Sequence, residues 1–259
     1  MSVDDRVRAL GRGVVGRLEQ TAGMTVLLGR ALRNLDALRS RPVRTVFFRQ
    51  VYFTGLQALW RVGGIGVLIG VIVLTQVASL VGKNAALGGQ ILVWTVIREL
   101  GPLFAAIIVI SRSTSAVAAE LGAMRVNREM ELLRSLGISP LRYLVVPRVA
   151  GMAASLVALT AWFEAVTIAG GLAFSSLVVQ LPFLAQLRNI GGALTAGDIG
   201  VSLLKSVLFG LVVAATACYH GLRVGASITE IPQVTTRAVM QSLTLVVVAN
   251  VLLTVVLTS

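Results

Sequence analysis

Residues 97–147 read IRELGPLFAAIIVISRSTSAVAAELGAMRVNREMELLRSLGISPLRYLVVP, and the rest of the chain is organised around this stretch. It begins inside an apolar run and then passes through small residues. From residue 120 to about residue 136 charged and apolar residues recur at helical spacing, and Gly137 and Pro140 end the pattern. The stretch therefore predicts a polar amphipathic helix, residues 120–136, held between two hydrophobic spans.

The composition excludes a soluble domain. The 259 residues are 56% hydrophobic and 13% charged, and the mean hydropathy of +0.87 is typical of a multi-pass membrane protein. The N-terminal end is too charged for a secretory signal peptide, so we expect the first span to direct insertion. The single cysteine, Cys218, excludes an internal disulfide and a cysteine-based metal site.

Five apolar stretches approach the roughly 20 residues that a helix needs to cross a bilayer. The first contains Gly66-x-x-x-Gly70, which predicts close helix packing, although glycine is also common in membrane helices. Thr195 and Asp198 form a predicted capping box before the fourth. We predict an all-α polytopic membrane protein with an interfacial N-terminal region (residues 1–61) and a membrane-spanning domain (residues 62–259), whose spans lie at about residues 62–81, 91–111, 149–179, 199–219 and 238–258.

The distribution of basic residues predicts how the spans are oriented. Eleven arginines lie in residues 1–61, six in residues 112–148 and two in residues 221–237. The opposite loops hold only Lys83 and Arg188. This bias predicts a cytoplasmic N-terminus, a cytoplasmic amphipathic helix and an external C-terminus. It also accounts for the net charge of +12, so nucleic-acid binding is not expected.

The chain has too few reactive groups for an enzyme site. Its only lysines, Lys83 and Lys205, do not follow the glycine pattern of a Walker A motif. With one histidine, His220, and one cysteine, neither a catalytic triad nor a zinc cage can form. We therefore predict no catalytic residue, no metal site and no cofactor in this chain.

A run of motifs resembles the signature of the MlaE/YrbE permeases. The likeness covers roughly residues 45–259 and includes most of the stretch quoted above. On these motifs the chain is identified as a member of that family. The residues that carry the resemblance are RELGP (98–102), AELGAMRV (119–126), LG (136–137), Pro140, YLVVPR (143–148), LLKS (203–206), CYHGLR (218–223) and TTRAV (235–239).

The resemblance implies the permease subunit of an inner-membrane ABC transporter. Such systems move phospholipid or a related lipid between the two membranes of Gram-negative bacteria and maintain outer-membrane lipid asymmetry. The family also implies a homodimer, two cytoplasmic ATPase subunits that bind Mg-ATP, and a periplasmic MCE-domain protein. A small STAS-type accessory protein is a further candidate partner, membrane lipids are expected contacts, and no nucleic acid is expected.

The basic N-terminal region admits two interpretations. Leu27, Leu28 and Leu35 fall at helical spacing with arginines beside them, and a second amphipathic stretch follows Pro42. One interpretation is a pair of helices lying on the anionic inner leaflet. The alternative, for the part before Pro42, is a small soluble bundle packed on the ATPase.

Charged residues inside the spans are the candidates for a substrate site. A rise of about 1.5 Å per residue places Arg98, Glu99, Glu164 and Lys205 in one layer in the outer third of the bilayer. An unpaired charge there costs several kcal/mol, so we expect Glu99 and Lys205 to pair. The layer either lines or gates a lipid cavity or is a structural ion-pair network. Asn250, at similar height, stands where the family usually has Asp, which puts a charge relay there in doubt.

The helix of residues 120–136 is expected to transmit movement from the ATPase. Leu132, Leu133 and Leu136 give it an apolar face for docking, and the alternative is a solvated linker. Arg128 reverses a charge relative to the usual family pattern. The residues expected to contact the ATPase are Glu120, Arg125, Arg128, Glu129, Glu131 and Arg134.

Two other classes of function compete with the permease. A stand-alone ion-coupled secondary transporter or channel could use Glu99, Glu164 and Lys205, but the inverted repeats of many such transporters are not found in the sequence. A membrane-embedded enzyme lacks a nucleophile and base.

Overall fold

The computed structural model describes residues 19–81, 90–178, 183–225 and 227–258. Within these ranges every regular element is a helix, as the sequence predicted. Five helical runs are long and apolar enough to cross a membrane, and each contains most of one predicted span. Residues 1–18, Lys83 and the predicted end of the third span at residue 179 lie outside the described residues.

The described residues form nine helices that follow one another along the chain. They are α1 (residues 19–33), α2 (Arg41–Thr54), α3 (Leu59–Val81), α4 (Gln90–Val126), α5 (Glu129–Ser135), α6 (residues 141–178), α7 (Phe183–Ala193), α8 (Ala196–Gly221) and α9 (Ile231–Thr258), with short 3-10 turns at Leu35–Arg39, Leu56–Ala58 and Ile228–Glu230.

The first span has no loop before it. Pro42 stands in the first turn of α2, where its missing N–H is not needed. A single 3-10 turn then joins α2 to α3, so the helical run crosses residue 61 without a break. The boundary between an interfacial and a membrane-spanning part at residue 61 therefore stays a prediction.

The second span, α4, is interrupted by wide turns. Pro102 lies in its interior and supplies no N–H to the helix. Immediately before this proline, Val93–Leu100 form wide π-helical turns, and Ile110–Thr114 form a second set. Such turns are frequent at functional sites, and the first set carries Arg98 and Glu99.

The predicted amphipathic helix of residues 120–136 is wrong as a single element. Residues up to Val126 complete α4, and α5 begins only at Glu129. Between them Arg128 adopts a left-handed conformation with φ of 60°, which ends one helix before the next begins. Gly137, with φ of 76°, ends α5 in the conformation that glycine adopts without strain.

The helix α3 packs closely against α6. A Cβ atom added to Gly70 would lie 2.0 Å from the Thr167 carbonyl oxygen, and one added to Gly171 would lie 2.7 Å from the Gly70 carbonyl oxygen. Gly66 faces Thr167 one turn away. The Gly66-x-x-x-Gly70 pattern therefore brings two backbones together, as predicted.

The outward faces of α3 and α9 are apolar. Large side chains on these faces are exposed in the single chain, which suits contact with lipid or with another membrane helix. The exposed residues include Ile65, Leu68, Ile72, Val247, Val251, Leu252 and Val255.

Candidate functional site

Lys205 is the centre of a buried polar cluster inside the spans. Its side chain on α8 is 1% exposed. The ammonium Nζ donates to Glu99 Oε1 at 2.8 Å, to the Arg98 carbonyl oxygen at 2.9 Å and to Thr254 Oγ1 at 2.9 Å. An ammonium has three donors, so all of them are used. The predicted pairing of Glu99 with Lys205 is seen in this structure.

Glu99 connects this cluster to α9. Asn250 Nδ2 donates to Glu99 Oε2 at 3.1 Å, and the Thr254 hydroxyl lies 2.9 Å from Glu99 Oε1. The amide at position 250 thus supplies a donor that an ionised aspartate lacks, and it adds no second carboxylate beside Glu99. Within the described residues, Asn250 Oδ1 is buried without a hydrogen-bond partner. The cluster joins α4, α8 and α9.

Arg98 points to a different partner. It forms an ion pair with Asp198, and its guanidinium lies 5.0 Å from the centre of the Trp94 ring. Asp198 also completes the predicted capping box, because its carboxylate accepts from the Thr195 N–H at 2.9 Å. A pocket of about 520 Å³ opens beside this pair, lined in part by Gln90, Trp94, Arg98 and Asp198.

Glu164 does not join either ion pair. Ser202 donates to Glu164 Oε1 at 2.5 Å, and no arginine or lysine among the described residues forms a salt bridge with it. A Cβ atom on Gly101 would lie 2.5 Å from that oxygen, so glycine leaves room for the carboxyl group. The predicted layer of four charges thus resolves into the pairs Arg98–Asp198 and Glu99–Lys205, with Glu164 against a neutral hydroxyl.

Sequence reasoning missed Asp198 as a member of this layer, because it assigned that residue only to the helix cap. A signal was present in the spacing. Asp198, Ser202 and Lys205 follow one another at intervals of four and three residues, which places them on one face of a helix. All three contact the charged layer in the structure.

Two of the residues expected to contact the ATPase also form contacts within the chain at the opposite end of α4. Glu120 Oε2 pairs with Arg148 Nη2 of α6 at 2.9 Å, and the Arg148 side chain is buried. Arg148 also donates to the Leu144 carbonyl at 3.1 Å. Arg125 Nε donates to the Val224 carbonyl after α8 at 3.2 Å. These contacts tie α4 to α6 and to the end of α8.

The other residues expected to contact the ATPase lie in α5 or at the break before it. Arg128 lies at the break before it, Glu129 and Glu131 occupy its first turn, and Arg134 its last. Carboxylates in a first turn and a cation in a last turn stabilise a helix. The outward side chains include Leu132, 60% exposed, and Leu136, 65% exposed, whereas Met130 is buried. The short helix therefore presents an apolar surface bordered by charges.

One contact links this end of the bundle to the N-terminal helices. Arg142, at the start of α6, donates to Asn34 Oδ1 at 2.9 Å and lies 3.4 Å from Asp36 Oδ2. Both charged side chains are more than half exposed, so the ion pair adds little stability.

Five long apolar helices with ion pairs between them are typical of a multi-pass membrane protein. A family model described as Permease MlaE matches residues 47–256. The chain belongs to the MlaE permease family, which confirms the resemblance found in its motifs.

Several relatives are similar to this chain. The intermembrane phospholipid transport system permease protein MlaE of Haemophilus influenzae is 27% identical over 241 residues, 91% of each chain. A probable ABC transporter permease protein of Synechocystis is 34% identical over 169 residues, 65% of this chain and 64% of that protein. The chloroplastic TRIGALACTOSYLDIACYLGLYCEROL 1 protein of Arabidopsis thaliana is 32% identical over 169 residues, 65% of this chain and 48% of its own. The matches to the last two thus cover less than two thirds of those proteins.

Proposed function

We propose that this chain is the permease subunit of an inner-membrane ABC transporter that moves phospholipid or a related lipid to or from a periplasmic MCE-type carrier. Such transport would maintain the lipid asymmetry of the outer membrane. The observation that carries the proposal is a fully paired lysine between three spans of an MlaE-family permease. A cation at this depth can attract a lipid phosphate when its present partners move away.

The proposed assembly follows from the family and the charge distribution. Membership of an ABC permease family implies an ATPase partner, and Mg-ATP would be bound there. We place the N-terminus in the cytoplasm and the C-terminus in the periplasm, because residues 1–61, 112–148 and 221–237 hold nineteen arginines, whereas the opposite loops hold only Lys83 and Arg188. A second copy of this chain, an MCE-domain protein and a STAS-type protein complete the proposed complex.

The proposed coupling runs along α4. The ATPase docks on the apolar surface of α5, and the Glu120–Arg148 pair makes α4 and α6 move together at their cytoplasmic ends. The wide turns of α4 at Val93–Leu100 give its far end a different packing arrangement from a straight helix. Movement of this part of α4 would separate the Glu99 carboxylate from the Lys205 ammonium and expose the ammonium to a lipid headgroup.

A second candidate function is supported by one observation. Glu164 lies within a span against a serine hydroxyl, with no salt-bridge partner among the described residues. Such a carboxyl group is the kind that proton-coupled transporters use. A stand-alone ion-coupled transporter or channel is therefore the alternative.

The test is lipid transfer from vesicles that contain the chain and its ATPase. We expect transfer of a fluorescent phospholipid to require ATP and to fall at least tenfold in Lys205→Ala. Leu203→Ala, an exposed apolar residue on the same helix, is the matched control and should transfer normally. Transfer that follows an imposed proton gradient and ignores ATP would instead support the alternative.

A further inference from the structure

A second cavity lies at the opposite end of the bundle from Lys205. Its volume is about 500 Å³, and α1, α5, the start of α6 and the end of α8 contribute to its walls. Four of its lining residues are Arg30, Arg125, Arg134 and Arg223, and we call this cavity the arginine pocket. None of the described residues that line it is acidic.

The arginines of this pocket are oriented without being neutralised. Arg125 Nε donates to the Val224 carbonyl at 3.2 Å. Arg223 donates to the Tyr219 hydroxyl and stacks over its ring at 4.7 Å. Arg30 and Arg134 form no salt bridge with any described residue. Both partnered guanidinium groups thus have neutral contacts, which fix geometry and leave the charge in place.

Four like charges around one cavity repel one another, and the repulsion is relieved when an anion enters. Arginine's planar fork matches the oxygens of a phosphate group and binds them with paired, charge-assisted hydrogen bonds. The cavity is far larger than one phosphate, so it can also hold the group attached to it. The chemistry therefore fits an organic phosphate better than a small ion.

The apolar part of the pocket favours a lipid. Val26 and Leu27 of α1 and Leu222 after α8 line it beside the arginines. Val26 is 53% exposed, so the apolar side of the cavity is open to its surroundings. A headgroup with its chains needs this arrangement of a charged interior and an apolar exit.

The pocket also faces away from the surface of α5 proposed for the ATPase. Met130 and Arg134, four residues apart, line the pocket, whereas Leu132 and Leu136 point outward. A segment of the ATPase docked on the leucines would contact the other side of the helix.

We propose that the arginine pocket binds the phosphate headgroup of an anionic phospholipid from the cytoplasmic leaflet and so fastens α1 to α5. This assignment rests on the proposed function for the orientation of the chain. The lipid in the arginine pocket is a fixed component of the protein, distant from the Lys205 cluster, and is distinct from the lipid that is transported.

The experiment measures binding of a short-chain phosphatidylglycerol to the purified full-length chain by native mass spectrometry, without ATP. The variant is Arg30→Gln/Arg134→Gln, which removes two charges of the pocket and leaves the hydrogen bonds of Arg125 and Arg223 in place. The control is Arg33→Gln/Arg39→Gln, which removes two nearby charges that do not line the pocket. We expect one lipid per chain to bind at least tenfold more weakly in the variant and within threefold of the original in the control.

Further measurements distinguish a bound phospholipid from a small anion or a protein partner in the arginine pocket. Arg30→Lys/Arg134→Lys should recover part of the affinity, which a misfolded variant would not. Inorganic phosphate that displaces the lipid at equal concentration would overturn the assignment, as would equal weakening in variant and control. Unchanged lipid binding in the single variant Arg30→Gln together with loss of the copurified ATPase would assign the pocket to a protein partner. Loss of lipid binding in Arg30→Gln, which leaves every residue expected to contact the ATPase unchanged, together with intact ATP-driven transfer would support the pocket and leave the proposed function standing. A chain that binds the lipid in the pocket but transfers none with its ATPase would contradict that function alone.

Discussion

The two ends of the bundle hold their charges in different ways. At one end Arg98 and Glu99 are each held by an oppositely charged residue of α8. At the other end several arginines around α5 and the arginine pocket have no acidic partner among the described residues. The difference follows from the surroundings, because an unpaired charge costs several kcal/mol in hydrocarbon and little where water or a headgroup reaches it.

This comparison separates charges that hold the bundle together from charges that are available to partners. Changes in the buried layer should lower the free energy of unfolding, and changes around α5 should alter binding while leaving folding nearly intact. The expected effect on stability therefore decreases from Lys205 towards α5.

The largest effect is expected at Lys205. Replacing it with Met leaves the Glu99 carboxylate without its cation and should lower the free energy of unfolding by about 3–5 kcal/mol. The Glu99→Gln/Lys205→Met double variant should recover much of this stability and still fail to transfer lipid if Lys205 contacts phosphate. Thermal unfolding in detergent and vesicle transfer give the two measurements. Strict additivity in both would show that the residues are not coupled.

The Arg98–Asp198 pair should contribute less to the free energy of unfolding than the Lys205 pair does, because the Arg98 side chain is 22% exposed. We expect Asp198→Asn to lower the free energy of unfolding by about 1–2 kcal/mol, since the amide weakens both the ion pair and the cap of α8. Thr195→Ala, which affects only the cap, is the control. Equal losses in the two variants would mean that the ion pair contributes nothing.

At the other end of α4, the two residues of the Glu120–Arg148 pair are predicted to differ in their contribution to the free energy of unfolding. Its arginine is 4% exposed and its glutamate 53% exposed. Glu120→Gln should therefore cost about 1 kcal/mol or less, because water reaches the carboxylate. Arg148→Gln should cost more, since it also removes the buried bond to the Leu144 carbonyl. Chemical denaturation of both variants measures the difference, and a larger loss for Glu120→Gln would contradict the prediction.

The smallest effect on folding is expected on α5. Glu129→Lys/Glu131→Lys reverses two charges in its first turn, which should change the free energy of unfolding by under about 1 kcal/mol. Copurified ATPase and lipid-stimulated ATP hydrolysis should nevertheless fall sharply, because complementary charges direct docking. The pair Glu19→Lys/Glu230→Lys, outside α5, is the control. Retention of the ATPase in the first variant would remove α5 from the docking surface.

Several features were readable from the sequence because each depends on local pattern. Hydropathy located the five spans, since a bilayer requires about 20 apolar residues wherever they occur. The capping box at Thr195 and the close approach at Gly70 follow from short motifs with direct steric or hydrogen-bonding causes. The Glu99–Lys205 contact followed from depth, because a lone charge at that height is costly.

The tertiary structure alone decided which neighbours those residues have. Depth specifies a position along the membrane normal, but the direction of a side chain around its helix depends on packing and on the wide turns of α4. This is why Arg98 pairs with Asp198, whereas Glu164 accepts a hydrogen bond from Ser202 and has no salt bridge with any described residue. The break at Arg128 was hidden for a related reason. Charged and apolar residues keep helical spacing across it, and arginine adopts a left-handed conformation only where the surrounding chain requires it.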